Sequence, residues 1–236
     1  MTRGFTLIEM AIVLVVIGLV VSGGLFAVTP IIQNAKVSET RARLDRLEDA
    51  LTLYAMQYTC LPCPAAVAGD GTAQFTGAAS GCGTGCTSVR GVVPWQTLGL
   101  SRADGADAFG TRISYEVTAA LVVAGSMTRS GTTYTPLGTI TVNTAAGAAV
   151  TTAAAYVLVS HGLNRHFGYL EDTGTQVSGA VGTSTIEDLN EPLDSTYVQD
   201  NYRPAPDANY FDDIVRWRSK PIIVQMCGEG ACGNPS

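Results

Sequence analysis

The sequence predicts an α+β protein: a long N-terminal α-helix packed on an antiparallel β-sheet, with loops pinned by disulfides. Three observations carry this. An apolar run near the N-terminus passes into a stripe of apolar residues at helical spacing that lasts to Tyr58. Beyond Cys63 the composition turns to Gly, Ala and Thr, with short alternating segments that suit strands. Six cysteines fall into three close couples, Cys60 with Cys63, Cys82 with Cys86 and Cys227 with Cys232.

From Met10 to Ala35 there is no charged residue, and Ala11–Val28 is almost wholly aliphatic, Phe or Gly. About 20 such residues in a helix span a ~30 Å hydrocarbon core. Glu9 sits at the mouth of this run. A carboxylate in lipid without a partner costs several kcal/mol, so a positive group must meet it. A cut after Gly4 would create an α-amino group on Phe5, with a pKa of about 8. At ~4 Å, opposite charges gain about 4 kcal/mol at an effective dielectric of about 20.

Gly4-Phe5-Thr6-Leu7-Ile8-Glu9 followed by an apolar helix resembles the processing signature of type IV prepilins and type II secretion pseudopilins. The resemblance implies a type IV pilin-like fold. It implies cleavage between Gly4 and Phe5 by a prepilin peptidase, and methylation of Phe5 by the same enzyme. It also implies that Glu9 neutralises the amine of a neighbouring subunit during assembly. The expected partners are therefore the peptidase, other pilin or pseudopilin subunits, an inner-membrane assembly platform and membrane lipid. The expected segments are a leader over 1–4, a membrane and filament-core half of the helix over 5–29, an amphipathic half over 30–59, and a periplasmic or extracellular β-rich domain over 60–236. Before assembly the protein would be a single-pass inner-membrane protein with its C-terminal domain in the periplasm, and afterwards part of a pilus or pseudopilus. The competing reading is an uncleaved membrane-anchored binding module, with zinc on its cysteines.

Gly23-Gly24 and Pro30 predict a bend or melted turn between residues 22 and 30. The helix then resumes, with Val37, Thr40, Leu44, Leu47, Leu51, Tyr54 and Tyr58 on one face. Arg41 with Asp45, and Glu39 with Arg43, stand at i,i+4 spacing on the other side. The prolines of Cys60-Leu-Pro-Cys63-Pro end it. Strands are expected at 111–117, 120–124, 133–143, 155–160 and 221–226, with Trp95 a core residue. The Ala/Thr-rich 144–154 has no clear period, and 168–212 reads as a turn-rich insertion.

The charge is −6, and residues up to Tyr58 are neutral, so the excess is in the globular part. No basic patch supports nucleic-acid binding. Glu171–Asp213 concentrates acidic residues around the single basic Arg203. A solvated acidic loop is one reading, and calcium, which takes six to eight oxygen ligands, is the other. Asp212-Asp-Ile-Val-Arg-Trp217 resembles the late Asp-Ile-x-x-Trp segment of pseudopilins, near which the major pseudopilins bind calcium. By that match Asp213 is the candidate ligand, with Asp212 beside it.

Outside the cytoplasm the cysteines suit disulfides. Cys60 and Cys63 are expected to cross-bridge to Cys82 and Cys86, because an adjacent C-x-x-C bridge constrains little chain. Cys227 with Cys232 would staple the tail. Cys60-Leu-Pro-Cys63 follows a helix rather than opening one, which argues against a redox thiol. His161, Arg165 and His166 assemble into no nucleophile–base pattern, so the expected work is assembly, not catalysis.

Overall fold

The computed structural model describes residues 6–77, 81–129, 133–178, 186–191, 194–204 and 210–227, without the side chains of 20–30. The chain forms two compact units, Met1–Glu39 and Thr40–Ser236.

Helix α1 is Leu7–Tyr58. In the first unit the apolar side chains from Leu7 to Leu19 are exposed. Among the described residues no helix is long and apolar enough to cross a membrane. The melted turn predicted between 22 and 30 is not found, since the backbone there is assigned to α1; the side chains of 20–30 lie outside the described residues.

In the second unit the predicted stripe turns inward: Thr40, Leu44, Leu47, Leu51 and Tyr54 are buried, and Tyr58 is half-buried. Thr59 follows with φ of 62°, and its N–H closes on the Ala55 carbonyl at 2.9 Å, so the helix stops with a left-handed residue.

The strands are β1 (Phe75–Thr76), β2 (Gly85–Cys86), β3 (Arg90–Val92), β4 (Thr111–Arg112), β5 (Ser114–Val117), β6 (Ile140–Thr144), β7 (Ala149–Ser160), β8 (Tyr169–Leu170), β9 (Thr196–Gln199) and β10 (Ile214–Ser219). The central strand β7 pairs antiparallel with β5, β6 and β10. β3 extends the sheet beyond β5, and β9 beyond β6. The pairs β1–β2 and β4–β8 are small separate ribbons.

Several expectations change. The sheet is mixed rather than antiparallel, because β9 runs parallel to β6. The long connection between them lets a distant segment return in the same direction. Residues 144–154 are a tight hairpin into the first half of β7. Residues 119–121 form a 3-10 turn instead of a strand. Residues Lys220–Met226 are helix α2, not a final strand. Pro221 stands where a helix tolerates it, and Ile223 and Val224 are buried while Ile222 is exposed.

Alternation along β10 explains how α1 is held. Val215 and Trp217 pack on the cluster of Ile140, Val142, Ala154, Val157, Val159 and Tyr197. Arg216 and Arg218 take the other face, opposite Leu158 and Tyr156 of β7. There Arg218 meets Glu48 at 3.0 Å and Arg216 meets Asp45 at 3.6 Å, both acids on α1. Arg43 donates to the carbonyls of Ala103 and Ala106 at 2.7 and 2.9 Å. Burial raises the Glu48 pKa, and Arg218 opposes that. Arg218→Met is expected to destabilise the protein by about 2 kcal/mol in urea unfolding, because it strands a buried carboxylate. Glu48→Gln with Arg218→Met should recover part of that loss. A single-variant loss below about 0.5 kcal/mol would assign the pair no weight.

Two disulfides, Cys60–Cys82 and Cys63–Cys86, tie the end of α1 to the loop ahead of β3. These are the cross-bridges expected. They occupy all four sulfurs, leaving no thiolate for the zinc reading. Tyr54 packs on the first bridge with Tyr58, Phe75 and Leu98, and its hydroxyl donates to the Gly81 carbonyl. Cys227 ends α2, and its expected partner Cys232 lies outside the described residues. Trp95 is buried as expected, and Arg112 stacks on it at 5.3 Å.

Candidate functional sites

Two sites stand apart, the N-terminal motif and a buried carboxylate cluster. Gly4 and Phe5 lie outside the described residues. Immediately after them, Thr6 and Glu9 form a reciprocal cap on the start of α1. The Thr6 N–H and hydroxyl both donate to Glu9 Oε2 at 3.0 Å, and the Glu9 N–H donates to Thr6 Oγ1 at 3.3 Å. This is a capping box, which satisfies backbone donors that a helix start otherwise leaves open. Glu9 is thus a helix cap as well as a charge. The Thr-x-x-Glu spacing was the signal for this second role.

The cluster is built where β7 ends and β10 begins. Ser160 ends β7, and Asp212 and Asp213 precede β10 across the sheet, where Ile214 is in register with Ser160. A 3-10 turn, Glu187–Asn190, supplies Glu187. Ligand oxygens of Glu187, Asp212 and Asp213 lie within 4.8 Å of one another. All three residues are buried. The solvated-loop reading therefore does not describe these carboxylates.

Their surroundings are specific. Asn164 donates through its N–H to Asp212 Oδ2 at 2.8 Å and through Nδ2 to Glu187 Oε2 at 2.7 Å. The Asp212 N–H donates to Glu187 Oε1 at 2.8 Å. Asn190 Nδ2 donates to Asp213 Oδ2, and the Tyr210 hydroxyl to Asp212 Oδ2, each at 2.8 Å. Asp212 Oδ1 is buried with no hydrogen-bond partner. Gly162, with φ of +55°, closes the site from behind, since a Cβ there would sit 2.3 Å from the Asp212 carbonyl oxygen.

Burial, then Asp212, pushes the Glu187 pKa up to about 8. Burial, then Glu187, pushes the Asp213 pKa well above its ordinary value. His161 Nδ1 lies 4.0 Å from Asp213 Oδ1, and Nε2 bonds Ser114 Oγ at 2.9 Å. Burial holds the His161 pKa down at about 4, so it is neutral at pH 7 and brings no positive charge. His161 is thus a core residue.

Three crowded carboxylates and an orphaned carboxylate oxygen fit a hard divalent cation with oxygen ligands, of which calcium is the type. Glu187, Asp212 and Asp213 would hold it, with Asn164 and Asn190 orienting them. Such an ion would supply positive charge that binds the 3-10 turn to β10. Glu187 was not singled out from sequence. The acidic bias of 171–213 was visible, but which acid returns to Asp212 depends on the tertiary path.

Asp107 is a different case. Its carboxylate accepts from the Phe109 and Thr111 N–H groups at 2.9 Å and from the Thr111 and Ser160 hydroxyls at 2.7 Å. It is fully engaged in shaping the turn into β4.

Residues 1–25 match the family model described as the prokaryotic N-terminal methylation motif, the prepilin-type cleavage and methylation motif. The motif supports a protein of the type IV pilin or pseudopilin kind, processed by a prepilin peptidase and assembled with other such subunits. No curated protein and no solved structure matches the chain.

Proposed function

We propose that the protein is a structural subunit of a type IV pilus or type II secretion filament, a minor pilin or pseudopilin, and that its work is assembly rather than turnover. The single observation that carries this is the match of residues 1–25 to the methylation motif; in this reading Gly4, Phe5 and Glu9 are its working residues. In this reading α1 acts as one long pilin-type helix. It is stored in the inner membrane with the globular part in the periplasm, then transferred by an assembly platform into the filament. Exposed apolar side chains over 7–19 suit lipid first and neighbouring helices afterwards. A staggered contact between the Phe5 amine and Glu9 is head-to-tail, so it propagates as a fibre rather than closing. The carboxylate cluster serves as a structural cation site of the globular unit.

The test is the intact mass, without reductant, of protein extracted from its own membranes. A mass lacking Met1–Gly4 and carrying one added methyl is expected. A full-length, unmethylated mass would favour the uncleaved anchored module instead.

A further inference from the structure

Between β7 and β8 the chain runs through a short strap, residues 163–167, that touches the carboxylate cluster. Two of its residues, Arg165 and Phe167, have φ of 60°. Neither residue type adopts the left-handed region readily, and such a backbone persists only where its surroundings dictate it. Three holds do so here. The Arg165 N–H donates to the His161 carbonyl at 3.0 Å, and the Phe167 N–H to the Val177 carbonyl at 2.9 Å. Asn164 is the third hold, and it is the one that reaches the acids. Its N–H donates to Asp212 and its Nδ2 to Glu187, while its Oδ1 accepts from the His166 N–H at 3.0 Å. Every N–H from Asn164 to Gly168 is thus hydrogen-bonded.

Two buried polar atoms beside Asn164's acceptors point to a ligand. Asp212 Oδ1 has no hydrogen-bond partner. Neither has His161 Nδ1, which belongs to no carboxylate and lies 4.0 Å from Asp213 Oδ1. A hydrated cation answers both, since it takes carboxylate oxygens and its waters donate hydrogen bonds.

We propose that cation binding at Glu187, Asp212 and Asp213 is coupled to the order of strap 163–167, with Asn164 as the positioning residue between them. The proposal rests on the cation-site reading and adds what occupancy of that site controls. The acceptors of Asn164 are two of three carboxylates crowded within 4.8 Å of one another. Unbalanced, such carboxylates part or lose their charge, and Asn164 then loses its two charged acceptors. The strained backbone of Arg165 and Phe167 is left with fewer holds and relaxes. With the charge balanced, the acids stay together as strong acceptors and the strap is fixed. Coupling of this kind is reciprocal, so a strap that is easier to hold should tighten the cation. Leu163 and Arg165 are exposed on the strap, so occupancy sets whether they are presented in fixed positions.

The experiment uses the full chain in detergent, with calcium or with chelator. Calorimetric titration reads calcium affinity, and hydrogen exchange compares amides 164–168 with those of β7. Chelator is expected to speed exchange in the strap by at least about tenfold more than in β7. Asn164→Ala leaves all three carboxylates in place and should weaken calcium by about tenfold. Arg165→Asn puts a residue that tolerates φ of 60° at the strained position, and should tighten calcium by about threefold. Strap exchange that rises only in step with β7 overturns the coupling and leaves the cation site standing. So do two variants that bind calcium like the parent. A parent that binds no calcium overturns both.

Discussion

In the presence of chelator, stability is expected to fall as pH rises from about 6.5 to 8, and calcium is expected to abolish that fall. The sign follows from linkage. Glu187 titrates near 8 in the folded protein against an ordinary 4.5, so between those values the folded state holds a proton that the unfolded state has lost. Stability from this group is complete below about 4.5 and is lost as pH rises through about 8. His161 works in the opposite sense. Its folded value of about 4 lies below the ordinary 6.5, so its contribution is complete above 6.5 and is lost as pH falls towards 4. Between about 4.5 and 6.5 the Glu187 and His161 slopes oppose each other, and above 6.5 Glu187 dominates, with buried Asp213, also raised, acting in the same sense. One proton over about 1.5 pH units is about 2 kcal/mol, or roughly 5 °C in the midpoint of a domain this size. A cation bound by the ionised cluster replaces the proton, so calcium should raise the midpoint most at pH 8. Glu187→Gln should reduce the pH dependence and remove the calcium increment. Scanning calorimetry with chelator and with calcium reads both. A flat profile in chelator together with no calcium effect would remove the cluster as a cation site.

Glu9→Gln is expected to reduce incorporation into filaments by more than tenfold, given about 4 kcal/mol for a close ion pair at intermediate dielectric. Membrane insertion should be unchanged. The choice of Gln separates two roles. Thr6 caps α1 through the Glu9 side chain, and Gln fills that place in a capping box almost as well. A defect in Glu9→Gln therefore reports the charge. Comparing the variant with its parent in sheared filament and membrane fractions is sufficient. Equal recovery in filaments would remove the ion pair from the assembly argument, and loss from both fractions would point to insertion instead.

The helix was legible because its signal is local and long: seven positions from Val37 to Tyr58 repeat without a break. The bridged cysteines were legible from loop arithmetic. Asp212 and Asp213 were legible as candidates because a resemblance in the following strand pointed to them. What failed were short apolar or periodless stretches. Pro221–Met226 reads equally as strand or helix, and tertiary packing chose the helix. The Ala/Thr run at 149–154 has no side-chain contrast from which to read a face, yet it forms half of the central strand. The parallel β6–β9 pairing depends on where a long connection returns. Asp45 was read as a surface partner of Arg41 and instead meets Arg216. No strand was expected over 214–219, and only the sheet reveals that Arg216 and Arg218 of β10 reach the acids of α1.

That β10 contact has a mechanical consequence. Asp45 and Glu48 are spaced along a stiff rod, and their arginines along a strand braced by β7. Parting α1 from the sheet must break both ion pairs and the Arg43 clamp as well as the apolar packing. Beyond these contacts the covalent bridges at Cys60 and Cys63 tie the end of the helix to the loop ahead of β3. Within the second unit, charge pairs, a carbonyl clamp and two covalent bridges all hold the helix to the sheet and its loops.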